Sequence, residues 1–125
     1  MKEWVVYEGV LIAESLKVGA QLDRRLTVTK ITRARPDNTS AEQPGVWTIL
    51  EFDLADDQAQ PFADWLAEAL DEPGWYCDFR SDQDVFVIFP GRVFHYPRGD
   101  ESGRAEAVGY GRQLGVPPSQ LDWPA

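Results

Sequence analysis

Apolar and polar positions change their period several times along this chain, and each change marks an element. Val46–Leu54 (VWTILEFDL) alternates cleanly: Val46, Thr48, Leu50, Phe52 and Leu54 share one face, while Trp47, Ile49, Glu51 and Asp53 share the other. Upstream, Leu26–Arg35 (LTVTKITRAR) is rich in β-branched residues and predicts a second strand. The turn-forming stretch Pro36–Gly45 between them makes the pair a hairpin. Placing Leu26 and Val28 on the core face with Phe52 and Leu54 requires paired residue numbers to sum to an even value. A weaker pattern over Trp4–Ile12 predicts an earlier strand, followed by a turn at Lys17–Gly19.

The period then lengthens. Phe62, Trp65, Leu66, Ala69 and Leu70 form one continuous stripe and predict a helix over Gln58–Asp71. Asp56 and Asp57 supply a cap and favour the positive helix start, Pro61 is compatible only with the first turn, and Pro73-Gly74 ends the element. Alternation returns in Trp75–Arg80, with Trp75, Cys77 and Phe79 set against Tyr76, Asp78 and Arg80. Val85–Phe89 and Arg92–Tyr96 flank Pro90-Gly91, whose residues suit a type II turn, so three successive strands predict a meander. A second helix is expected over Gly103–Leu114, capped by Ser102 and closed by Gly115. The tail beyond makes one turn from Pro118 and tucks Leu121 and Trp123 onto the body.

The resulting order, βββαβββα, predicts an α+β fold: a single antiparallel sheet of five or six strands with two helices on one face, residues 1–125 forming one domain. With 125 residues, 43% of them hydrophobic and 5 Trp, 6 Phe and 4 Tyr among them, the chain can fill a core without disulfides or metal. The longest early apolar run, Val10–Ala13, is too short for a signal segment or a membrane span. A lone Cys77 suits a reducing compartment, so the expected location is cytoplasmic.

Charge changes the picture more than composition does. The net charge of -9 is concentrated in the middle: Arg24–Pro36 carries five bases and no acid, and Asp37–Phe79 carries eleven acids and no base. Such a field argues against nucleic acid and anionic membranes and favours a basic partner, although acids also simply keep a small domain soluble.

Candidate chemistry is sparse. There is no phosphate-binding glycine loop, no nucleophile elbow, no HExxH and no CxxC pair, and one His with one Cys cannot build a common zinc site. No cofactor and no metal is implied. Asp82 and Asp84 lack the companions of a calcium loop, Arg98-Gly99-Asp100 reads as a tight turn, and Cys77 reads as a small core residue. The richest polar group is Tyr76, Asp78, Arg80, Ser81, Asp82 and Asp84, with His95 and Tyr96 on the last strand. Asp78 and Arg80 share a sheet face. If His95 reaches it, a carboxylate-oriented imidazole beside a guanidinium could serve acid–base work or bind an anion. The plainer reading is a polar sheet surface. Trp47 and Ile49, set among Glu51 and Asp53, are either an aromatic anchor in a charged rim or residues covered by a loop or the N-terminal segment.

The segments WYCDF (75–79), VFHYPRGD (93–100) and LGVPPSQLD (114–122) resemble small bacterial proteins of unassigned function that carry WYxDF, VFxYPRGD and LGVPxxQLD. The resemblance implies a bacterial protein and brings no catalytic residue with it. Two functional expectations follow from the residues. The first is a protein-interaction module, in the sharpest form an acidic immunity-like inhibitor of a basic partner, using Trp47, Ile49, Glu51, Asp53, Asp56 and Asp57. The second is a small enzyme or ligand-binding domain using Asp78, Arg80 and His95. An uncovered sheet face or edge would also permit pairing between copies.

Overall fold

The β-branched and alternating stretches all enter one sheet. The computed structural model describes residues 6–123 and contains β1 (Val6–Ile12), β2 (Thr27–Ala34), β3 (Trp47–Ala55), α1 (Asp56–Ala69), β4 (Cys77–Arg80), β5 (Asp84–Phe89), β6 (Arg92–Pro97) and α2 (Glu101–Gln113). The six strands form an antiparallel sheet in the order β2-β3-β1-β4-β5-β6. Both β2–β3 and β4–β5–β6 are hairpin-connected as the turn residues demand, and Gly91 takes the positive φ that the Pro90-Gly91 turn requires. β1 inserts between β3 and β4 and runs antiparallel to both. The two strands joined by α1 are therefore parallel, and the helix crosses over β1. Of the first expected strand, residues 4 and 5 lie outside the described residues. No helix among those described is long and apolar enough to cross a membrane.

The helices lie on opposite faces of the sheet, which corrects the expectation that both share one. β5 decides this. Its sequence, VFVIF after Asp84, is apolar on both sides, as in strands buried on both faces. Phe86 and Ile88 pack with Phe62, Ala63 and Leu66 of α1 and with its C-cap Leu70, joined by Tyr7, Leu11, Phe52 and Phe79. Val85, Val87 and Phe89 pack instead with Ala107 of α2 and with Val116, Leu121 and Trp123 of the tail. At Gly111 of α2 an added Cβ would lie 2.8 Å from a Leu121 methyl and 3.0 Å from the Phe89 ring, so the absent side chain lets tail and helix close over the sheet. Gly9 of β1 has the same role on the α1 face: a Cβ there would meet Phe79 Cβ at 2.6 Å and the Phe52 ring at 2.7 Å.

Other differences are local. Thr27 and Val28 pair with Asp53 and Phe52 at the expected even sum, but a bulge between Val28 and Lys30 shifts the rest, Lys30 facing Glu51 and Arg33 facing Thr48. α1 starts and ends two residues early. Its N-cap is Ala55, which makes no side-chain cap, so Asp56 and Asp57 act only on the helix start as first-turn acids. Pro61 consequently lies in the helix interior, on its exposed side, where water can satisfy the carbonyl that the missing N–H leaves over. α2 is capped by Asp100, not Ser102: the Asp100 carboxylate accepts from the Gly103 N–H at 3.1 Å, and Ser102 donates to the same carboxylate at 2.8 Å.

Candidate functional site

α2 and the tail cover only the β5–β6 side of their face, and a cavity of about 350 Å³ opens where that cover stops. Its floor is Val10 and Ile12 of β1 with Asp78 and Arg80 of β4. Its walls are Asn38 from the β2–β3 connection with Trp47 at the start of β3, Gly74–Tyr76 before β4, and Gln120, Asp122 and Trp123 from the tail.

Buried amides tie these segments together. Gln43 donates to the Gly74 carbonyl at 3.2 Å and to the Gln120 side-chain oxygen at 3.1 Å. Gln120 donates back to the Gln43 oxygen at 2.8 Å and to the Asn38 carbonyl at 2.7 Å. Both side chains are buried, so the reciprocal pair fixes the loop, the turn and the tail against one another without a contribution from the sheet.

The aromatic wall is held by its polar atoms, leaving its carbon surface towards the cavity. Trp47 donates its indole N–H to the Pro44 carbonyl at 2.9 Å and packs on Trp75 with ring centroids 5.3 Å apart. Trp123 donates to the Tyr96 hydroxyl at 2.8 Å and meets Tyr76 edge-on at 5.3 Å. Tyr76 donates its hydroxyl to the Gln120 carbonyl, and burial pushes the phenol well above its ordinary range.

Asp78 is the cavity's singular group. No hydrogen bond from another described residue reaches its carboxylate, although it is largely enclosed. Burial raises its pKa to about 6; Arg80 pulls the other way, and Asp122 adds to the rise. Arg80 lies on the same face, opposite Glu8 of β1. The carboxyl therefore changes charge near neutrality, in an aromatic enclosure, with unfilled acceptor capacity.

His95 is not part of this site. Phe79 pairs with Phe86 and Phe86 with His95, while Asp78 pairs with Val87, so Asp78 and His95 stand on opposite faces of the sheet. His95 stacks on Phe86, ring centroids 3.9 Å apart, and hydrogen-bonds Asp84. Asp84 is the hub of a separate cluster, accepting also from the Tyr7 hydroxyl at 2.6 Å and the Ser81 hydroxyl at 2.7 Å. Burial alone would raise the Asp84 carboxyl, but the bonds from His95, Tyr7 and Ser81 outweigh it and hold the group below its usual range. A nucleophile triad needs the imidazole between acid and hydroxyl. Here the carboxylate is in the middle, and Ser81 further accepts the N–H groups of Gln83 and Asp84, so the cluster locks the β4–β5 turn to β1 and β6.

The residues expected to meet a partner separate in the same way. Trp47 is 7% exposed, a cavity wall covered by the Pro44 loop and Trp75, which resolves its two readings in favour of cover. Ile49, Glu51 and Asp53 are half-buried on the cavity's side of the sheet, with Glu51 ion-paired to Lys30 at 3.7 Å. Asp56 and Asp57 are exposed in the first turn of α1. Cys77 is buried, its thiol against the Val10 carbonyl and pushed well up by burial. Among the described residues no group of three or more His, Cys, Asp or Glu is placed to hold a metal ion.

Alternation in the sequence put Tyr76, Asp78 and Arg80 on one face, as observed. It placed Trp75 with Cys77, but β4 begins only at Cys77 and Trp75 turns to the cavity. Asp122 carried no sequence signal, because the tail's fold-back alone brings it to Asp78. No protein-family model, curated protein or solved structure matches this chain.

Proposed function

We propose that the domain binds a small organic ligand in the Trp47–Trp75–Tyr76–Trp123 cavity, with Asp78 as its polar anchor. The observation that carries this reading is the Asp78 carboxylate: enclosed, without a hydrogen-bond donor from another described residue, and directed into a space that a ligand can fill. A half-buried carboxylate that takes no donor from another described side chain keeps acceptor capacity for a ligand, and perturbed carboxyls in clefts commonly mark binding sites. The volume is at the low end for ligand pockets, and an apolar wall with few polar groups is their usual composition. The reciprocal Gln43–Gln120 pair supplies pre-organisation, since the walls are fixed before a ligand arrives.

This reading keeps Asp78 and Arg80 and drops His95. It is a binding reading: among the described lining residues, no hydroxyl or thiol nucleophile has a base beside it. A fragment library screened by NMR against the indole N–H resonances tests it. Binders should perturb Trp47, Trp75 and Trp123, and Val10→Trp, a change at a floor residue 42% exposed, should abolish those shifts while leaving the protein folded. Fragments that bind the filled variant unchanged contradict it.

A second reading, an acidic interaction module, draws on Glu8, Glu51 and Asp53 sharing one sheet face. Its aromatic anchor is buried, so long-range charge alone would carry it. Charge reversal at Glu51, Asp53, Asp56 and Asp57 should slow association with a basic protein; an unchanged rate would remove this reading.

A further inference from the structure

We propose that the ligand of this cavity is a compact organic cation, an alkylammonium or protonated nitrogen base with an apolar body, in preference to a neutral molecule or an anion. The inference rests on the cavity being a ligand site and assigns the chemistry of its occupant from the atoms left over once internal hydrogen bonds are counted.

Several of the wall's donors are already used, while the Trp75 indole N–H, the Asn38 amide and the Arg80 guanidinium also line the cavity. The indole N–H groups of Trp47 and Trp123 and the hydroxyl of Tyr76 are each engaged by a protein acceptor. Both side-chain N–H bonds of Gln120 go to Asn38 and Gln43. An anion entering here would meet aromatic carbon and two carboxylates against a single guanidinium, that of Arg80. Acceptors, in contrast, are in surplus: Asp78 receives no hydrogen bond from another described residue, and Asp122 stands close enough to raise its pKa. A cation supplies what Asp78 lacks and finds ring faces whose quadrupoles favour positive charge.

Charge beyond the lining points the same way. Arg80 is the one base among the lining residues, against Asp78 and Asp122, and it stands opposite Glu8 across the ladder. Glu51 and Asp53 continue the same face towards β2. A cleft of one sign with apolar walls focuses its field on the entering ligand.

Three probes sharing a benzyl body separate this inference from the reading beneath it: benzylammonium, benzyl alcohol and phenylacetate, titrated against the full chain by tryptophan fluorescence and indole N–H shifts. The cation should bind more tightly than either of the others by roughly tenfold or more. Asp78→Asn should remove most of that margin and leave benzyl alcohol unaffected, and Asp122→Asn should remove a smaller part. Equal or tighter binding of benzyl alcohol or phenylacetate overturns the cationic assignment while leaving a ligand site. Failure of all three to perturb the tryptophans overturns the ligand site and this inference together.

Discussion

Replacing Asp78 with Asn is expected to stabilise the unliganded protein at neutral pH. The carboxyl is raised from 3.8 to about 6 in the folded state, a displacement equivalent to about 3 kcal/mol between the two charge states. Because the folded pKa lies above the unfolded one, the folded state holds the extra proton between them. The group therefore favours folding below the unfolded value, and that contribution is lost as pH rises through about 6. Asn keeps the shape and removes the charge, so the variant should gain stability over the wild type as pH rises. The gain should level off above the folded pKa at roughly 1–3 kcal/mol, less than the full displacement because the amide's own N–H groups need partners. Urea denaturation of both proteins across about pH 4.5 to 7.5 measures the difference. Taking that difference removes every other titrating group, including Asp84, whose effect runs in the opposite direction. A wild type more stable than the variant at neutral pH, or a gap independent of pH, would falsify the account of Asp78 as an uncompensated carboxylate.

Further expectations rest on separate parts of the fold. Asp84→Asn weakens the hub that joins Tyr7, Ser81 and His95 and should destabilise the protein by about 1–3 kcal/mol at neutral pH. The stability that Asp84 provides exists above its unfolded pKa and should be lost as pH falls through its depressed folded value, an acid transition that thermal melts of the Asn variant should lack. Gly9→Ala forces a Cβ to within 2.6 Å of Phe79 and 2.7 Å of Phe52 in a central strand and should cost about 1–3 kcal/mol or more in chemical denaturation. Gln43→Ala leaves buried Gln120 with unmet partners and should lower stability by about 1–3 kcal/mol. The same change should weaken benzylammonium binding, although Gln43 is not a lining residue; calorimetry on folded variant protein checks both.

Local elements were legible where one period ruled a stretch. The α1 stripe, the Pro90-Gly91 hairpin and the alternation of Val46–Leu54 each follow from residues a few positions apart. The placement of helices on two faces was written in Val85–Phe89, whose five apolar residues cannot serve a sheet with one solvated face. The insertion of β1 between β3 and β4 had no local signal, because strand order depends on contacts across the whole chain. The bulge after Val28 escaped for a similar reason: a single extra residue changes the register without changing the pattern of residue types.

The site divides along the same line. Alternation alone put Asp78 and Arg80 on a common face. The position of His95 depended on the registers of two hairpins in series, and one step of parity sends a side chain through the sheet. Alternation alone leaves Trp47 open to both an exposed and a covered reading, because its face is opposite the helix stripe; the loop around Pro44 that covers it has no periodicity to read. The tail's turn at Pro118 and its fold-back onto the body were legible, but where it lands, beside Asp78 and Tyr76, depends on contacts across the chain that no short-range rule gives.

The most direct test of the central claim is the titration of Asp78 itself, followed by carbon-13 NMR of its carboxyl with and without saturating benzylammonium. The account predicts a midpoint near 6 in the free protein and a clearly lower one in the complex, because a bound cation favours the carboxylate. A carboxyl that titrates in the ordinary aspartate range, or whose midpoint stays put while the cation is bound, would contradict the assignment of Asp78 as the anchor of the site.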